Sequence, residues 1–382
     1  MKKLKILGLI PEDNAVGYYR LYNPLKMLEK LGLAELKLTP TFRWGKEISG
    51  TTDFPKIEWF SDEKDEFKPD IIVAGRHDAP QYIALLLALK NYNVPVVVDT
   101  DDDVMAVRPF NPGYRSYKPD SEHIVWNIKL MSSADAITTS TDHLRERMIQ
   151  YNKPTFTIHN SIDFSERVPE RKARSKNATK EIRIGWLGSA CHWENLQIIQ
   201  QVVKDIVAEF PQVRFYYTNL FGDIWNKRPK EVEHQIISTC WFDCKEKHAA
   251  CNKAYKDFRV YPKFINKINL DIGLAPLYDN FFNRSKSNLR VLEYWANKIA
   301  VVASNVRPYY ETIVHGKNGL LATEKEEWYN CIKELILDEK KRKNFGQAGF
   351  ETLKKDYRME SNAPKLYDIY NEIIRGFNGK NT

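Results

Sequence analysis

The sequence contains no apolar run near the ~18 residues that a membrane-spanning helix needs. Its first ten residues carry three lysines, and their apolar stretch stops at Pro11, too short for the core of a secretory signal. An intracellular chain without an integral membrane segment is expected. No GxGxxG follows any candidate strand and no GxxxxGK[ST] occurs, so neither a dinucleotide-dependent oxidoreductase nor a P-loop NTPase is supported. Cysteine is sparse and odd in number. Cys191, Cys240, Cys244, Cys251 and Cys331 give no disulfide framework to a chain this large, which points to reduced thiols and a cytoplasmic location.

What is present suits a folded protein. At 382 residues the chain fits two domains of roughly 100–200 residues each, and 43% hydrophobic with 28% charged residues is the balance of a globular protein. The formal net charge of +8 implies an anionic partner: nucleic acid, an acidic membrane surface approached peripherally, or a diphosphate ligand.

Short apolar runs at 5–10, 71–75, 94–99, 136–140 and 155–160 read as buried strands, with helical stretches at 22–33, 81–90, 122–132 and 142–151 between them. This alternation is that of a parallel α/β fold. Residues 165–180, SERVPERKARSKNATK, lack apolar periodicity and read as a linker. Alternation then resumes, with strands expected at 182–188, 213–218, 258–262, 270–277, 299–304 and 319–322 and helices near 196–209 and 289–297, which predicts a second doubly wound domain. The expected division is 1–164, a linker at 165–180, 181–355 with an insertion at 222–257, and 356–382 as a helix returning toward the first domain.

In open parallel sheets, ligands bind beyond the carboxyl ends of the strands, where helix starts favour anions. After the first strand comes PEDNAVGYYR, in which Gly17 allows close backbone approach before Tyr18, Tyr19 and Arg20. After 182–188 comes SACHWEN, where Gly188 and Ser189 offer N–H groups to a phosphate and His192 donates or stacks. The densest cluster is FNRSKSNLRVLEY: Arg284 and Lys286 precede a helix opened by Ser287 and Asn288, and Glu293 follows. Cations at a helix start suit a diphosphate, and a carboxylate further along accepts ribose hydroxyls.

These residues resemble the retaining, sugar-nucleotide-dependent glycosyltransferases of the GT-B fold, in particular the group 1 family with its bacterial and phage members. The resemblance runs in order along most of the chain. Tyr18-Tyr19-Arg20 with Asn23-Pro24-Leu25 is similar to the family's Gly-Tyr-Tyr-Arg loop, VVVDTDD to its Asp-rich strand end, and IHNSID to its interdomain Pro-Asn-Gly-Ile-Asp. IGWLGSACHWENL resembles G-[YW]-x-G-S-x-x-H-x-x-[DN]-L, and SKSNLRVLEYWANKIAVVASNV resembles the donor-domain signature S-K-S-D-L-K-x-L-E-Y-x-A-x-x-x-P-V-V-A-S.

The resemblance implies two Rossmann-like domains facing across a cleft, with a UDP-, GDP- or other nucleotide-activated sugar held by the second. It also implies retention of configuration, no resident cofactor, and charge neutralisation without a metal. Of the family's Glu-x7-Glu pair, Glu293 fits the ribose-binding place and Ser285 stands in the first. Arg284, Lys286 and His77 are the catalytic candidates, the first two for the leaving diphosphate and His77 as proton acceptor. Gly188, Ser189, His192, Ser287, Asn288 and Glu293 are expected on the donor. Gly17, Tyr18, Tyr19, Arg20 and Asp101 are expected on the acceptor side, with Arg20 an anion contact.

Alternatives stay open from the residues alone. The Asp99–Asp103 cluster could be a metal-binding Asp-x-Asp. Cys240, Cys244, His248 and Cys251 could hold zinc, although one straight helix cannot wrap four ligands tetrahedrally and a buried stripe is the favoured reading. The acceptor is a cell-surface or lipid-linked glycan or else a hydroxylated DNA base, the basic residues Arg171, Lys172 and Arg174 and Trp225 beside Lys227 and Arg228 suiting either polyanion. A binding protein without turnover is the non-enzymatic alternative.

Overall fold

The computed structural model describes residues 2–11, 14–38, 67–164, 181–189, 192–218, 234–239 and 261–379. The strands are β1 (Leu4–Leu9), β2 (Ala34–Leu38), β3 (Ile71–Gly75), β4 (Val96–Thr100), β5 (Ala136–Thr139) and β6 (Thr155–Thr157), then β7 (Ile182–Trp186), β8 (Val213–Thr218), β9 (Ile236–Thr239), β10 (Ile272–Ala275), β11 (Ala300–Ser304) and β12 (Leu320–Ala322). They form two parallel six-stranded sheets, ordered β2-β1-β3-β4-β5-β6 and β12-β11-β10-β7-β8-β9. Helices cover both, so central strands such as β3, β4, β5 and β11 are buried throughout, as continuous apolar runs in parallel sheets must be. The chain has the expected α/β architecture of two Rossmann-like halves.

In each sheet the order reverses beside the first strand, between β1 and β3 and between β7 and β10, which opens a crevice at the carboxyl ends. Counted from its own first strand, the second sheet has the strand order of dinucleotide-binding folds, although it lacks their glycine fingerprint.

Three expectations need correction. Residues 258–262 were expected as a strand, but Tyr261–Ile268 is a helix with Pro262 in its first turn; residues 258–260 lie outside the described part. Its buried Tyr261, Phe264 and Ile265 repeat at helical spacing. The stretch 222–257 is not wholly an insertion, because β9 within it extends the second sheet beside β8. The entrance to the first helix is also longer than expected: Gly17–Tyr22 forms a π-helical turn ahead of Asn23–Lys30. The linker 165–180 and Cys240, Cys244, His248 and Cys251 lie outside the described residues.

The tail folds as Lys325–Leu337, Glu339–Asp356 and Met359–Asn378. The last helix leaves the second half and lays Met359, Ala363, Leu366, Tyr367, Tyr370 and Ile373 into the core beneath β1 and the Asn23–Lys30 helix. Where it crosses it runs beside the earlier passage between halves. Ile162 N–H donates to Tyr357 O at 2.9 Å, Met359 N–H to Ile162 O at 2.9 Å, and Asn362 Nδ2 to Ser161 Oγ at 2.8 Å.

Candidate active site between the sheets

The loops at the carboxyl ends of the two sheets meet. Tyr19, after β1, donates its hydroxyl to Glu293 Oε1 at 2.7 Å. Lys286 Nζ reaches the two carboxylate oxygens of Asp102, after β4, at 3.1 and 3.3 Å. Asn160 Nδ2 donates to Ser287 Oγ at 2.8 Å, and Thr141 Oγ1 to the carbonyl of Ser285 at 3.0 Å. Arg108 pairs with Glu194 at 3.4 Å. Every one of these contacts joins the first half to the second.

On the second side, three charged groups come from one short stretch. Lys286 precedes the Leu289–Ala296 helix, Arg290 lies in its first turn, and Glu293 follows one turn later. Arg290 lies over the Trp186 ring at 5.3 Å and beside Gly188, where a Cβ would collide with its guanidinium. That close approach explains the glycine. Burial works against the charge of Arg290, but the surrounding Tyr261, Tyr294, Glu293 and Tyr309 outweigh it and raise its pKa. The same enclosure pushes Tyr294 up to about 12, chiefly through desolvation. His192 sits against Trp186 with ring centroids 6.0 Å apart, and burial, followed by Lys286 and Arg290, holds its pKa well below 6.5. His192 is thus a neutral imidazole among cations, with Nδ1 3.2 Å from Asn195 Nδ2.

Sequence reasoning missed Arg290. The signal was physical: a cation in the first turn of a helix opposes the helix dipole, so its presence there asks for an anion. Arg284, expected beside Lys286, instead pairs with Asp279 at 2.5 and 2.9 Å on the surface. Gly188 N–H, expected to face a phosphate, donates to Thr218 Oγ1 at 2.8 Å. Asn288 is the N-terminal cap residue and gives its side-chain amide to Thr312 Oγ1 at 3.0 Å. Ser285, in the place of the absent carboxylate, is fully buried and donates to Phe281 O. Ser189, in the loop after β7, accepts the N–H of His192 on its carbonyl.

On the first side, Arg20 is not a cleft-facing anion contact. Its side chain is 2% exposed; it pairs bidentately with Asp99 at 3.0 and 2.8 Å and donates to Asn160 Oδ1 and Ile158 O. Burial disfavours its charge, yet Asp99 and Asp101 more than compensate and raise its pKa. Thr138 Oγ1 completes the carboxylate shell of Asp99 at 2.7 Å. Asp103 accepts from Arg147 Nε at 2.9 Å, and the carbonyl of Asp101 accepts from Ser140 Oγ at 3.1 Å. Gly17 N–H is held by Asn14 Oδ1 at 3.2 Å, and Tyr18 stacks on Tyr22 at 6.0 Å. His77 accepts the N–H of Ala79 on Nδ1 at 3.1 Å. The same loop after β3 also carries a pair that was not foreseen: Asp78 Oδ2 lies 2.8 Å from Nδ1 of the half-exposed His123, while Arg76 donates to Tyr117 at 3.0 Å. Among the described residues, no three His, Cys, Asp or Glu side chains are grouped to hold a metal ion.

Residues 289–352, which begin on the helix bearing Arg290 and Glu293, match the family model described as glycosyl transferases group 1. Sucrose-phosphate synthase from Thermosynechococcus elongatus superposes with a TM-score of 0.65 at 13% identity, over 97% of this chain and all of that one. The chain has the GT-B fold. Among other GT-B neighbours, Anabaena HepE, solved with UDP and glucose, gives 0.59 at 13% identity over 97% and 100% of the two chains. S. aureus TarM, in complex with fondaparinux, α-GlcNAc-glycerol and UDP, gives 0.57 at 14% identity over 82% of this chain and 58% of that one. No curated protein matches in sequence. No helix among the described residues is long and apolar enough to cross a membrane.

Proposed function

We propose that the enzyme binds a UDP- or GDP-sugar in the second half and passes the sugar, with retention, to a hydroxyl of a cell-surface or lipid-linked glycan in the cytoplasm. The observation that carries this is the Lys286, Arg290 and Glu293 constellation at the β7–β10 crevice, facing Tyr19 and Asp102. Lys286 and Arg290, with the first N–H groups of the Leu289–Ala296 helix, meet the diphosphate and stabilise the charge that develops as it departs. Glu293 accepts the ribose hydroxyls. The acceptor lies against 1–164, while 181–355 holds the donor.

Metal-free neutralisation is supported by the commitments of the acidic run, since Asp99, Asp102 and Asp103 are engaged by Arg20, Lys286 and Arg147 respectively. The test is incubation with labelled sugar nucleotides and two acceptor pools, cell-envelope glycans and hydroxymethylated DNA, with and without excess EDTA. Label in the glycan pool that persists in EDTA is expected. Label in DNA alone overturns the acceptor, and EDTA loss restored by Mn²⁺ moves the chemistry to Asp101 and Asp103.

A further inference from the structure

Tyr19 stands out because it belongs to one half and is buried in the other. It follows β1 in the π-helical turn Gly17–Tyr22, yet with Tyr18 it packs into the second half's core alongside Tyr261, Tyr294 and Trp295. Its ring is 1% exposed and its hydroxyl lies 2.7 Å from Glu293, itself 6% exposed. A hydrogen bond to a carboxylate in so enclosed a place is among the stronger ones. It also selects one rotamer from the several open to a glutamate.

We propose that Tyr19 is a positioning residue for donor recognition: by holding Glu293 from across the cleft, it fixes the orientation in which that carboxylate meets the donor ribose. The inference rests on the reading of Glu293 as the ribose acceptor. Donor discrimination then depends on the two halves being together, because the group that aligns Glu293 comes from the first.

The experiment is calorimetry with UDP against 2′-deoxy-UDP and 3′-deoxy-UDP, and with the matching GDP series, on wild type, Tyr19→Phe, Glu293→Gln and the double variant. Tyr19→Phe keeps the ring and its packing. Wild type is expected to prefer the ribonucleotide by about tenfold or more, the value of a hydrogen bond to a charged group. Tyr19→Phe should narrow that preference to within about threefold, and should add nothing in the Glu293→Gln background, as coupled residues require. Tyr18→Phe, in the same core, should keep the preference. A wild type indifferent to the ribose hydroxyls overturns the reading of Glu293. A wild type that discriminates while Tyr19→Phe discriminates equally overturns the role of Tyr19 and leaves that reading standing.

Discussion

The two halves share one design, six parallel strands with a reversal beside the first, yet they place their charges differently. In the first half Arg20 is closed on Asp99 and Arg147 on Asp103, so these cations are satisfied by their own sheet. In the second, Arg290 lies among aromatic rings and Lys286 reaches across to a carboxylate of the first half, Asp102. A cation paired within its own half holds the fold. One whose partners are rings or the opposite wall can exchange them for a ligand.

The largest effect expected from this contrast is on stability. Arg20→Ala leaves the Asp99 carboxylate buried without its cation, and should cost about 3–5 kcal/mol, as breaking a buried pair does; urea denaturation checks it. A stable, fully active variant would break the comparison. Arg290→Ala should do the reverse. Its melting temperature should move far less, while affinity for the UDP- or GDP-sugar falls by about 10- to 100-fold, in line with about 1.5–3 kcal/mol for bonds to a charged group. Equal affinity by calorimetry would return the diphosphate to other residues.

A smaller effect belongs to His192. Its pKa is depressed in the folded protein, so below pH 6.5 the unfolded chain takes up a proton that the folded chain refuses. Its contribution to stability is therefore complete above pH 6.5 and is lost as pH falls toward the folded value. His192→Gln should flatten the melting temperature against pH over that acid range; an unchanged slope removes His192 from the cationic enclosure. The smallest effect is that of Arg284→Ala, whose exposed pair with Asp279 should matter neither to melting nor to donor affinity. A clear loss of affinity would restore Arg284 to the donor site.

The parts of the fold that were legible share a cause. Ile71–Gly75 is a strongly apolar run and Val213–Thr218 alternates buried with half-buried residues, so the bounds of both could be read directly. Ala34–Leu38 and Ile236–Thr239 are edge strands with half-exposed faces, so Glu35, Lys37 and Ser238 interrupt the signal. In the candidate site, spacing along one helix start groups Lys286 with Glu293, and the structure has both at the Leu289–Ala296 helix. Arg20 was misjudged because an arginine after a first strand looks alike in sequence whether it meets a ligand or a buried aspartate 79 positions away. The Asp78–His123 contact joins a loop to the first turn of the Glu122–Ser133 helix, which no local pattern announces.

The return of Met359–Asn378 to the first half has a consequence for how the molecule is made. A nascent chain emerges from its amino end, but the surface that covers Leu4, Leu25 and Leu28 is encoded in the last helix. The first half cannot finish its core on the ribosome while that helix is still inside the exit tunnel, so the part translated earliest matures after the second sheet has been completed. A premature stop near residue 355 would accordingly injure the region most distant from it in the message, exposing apolar side chains beside β1 and leaving the second sheet's own strands intact.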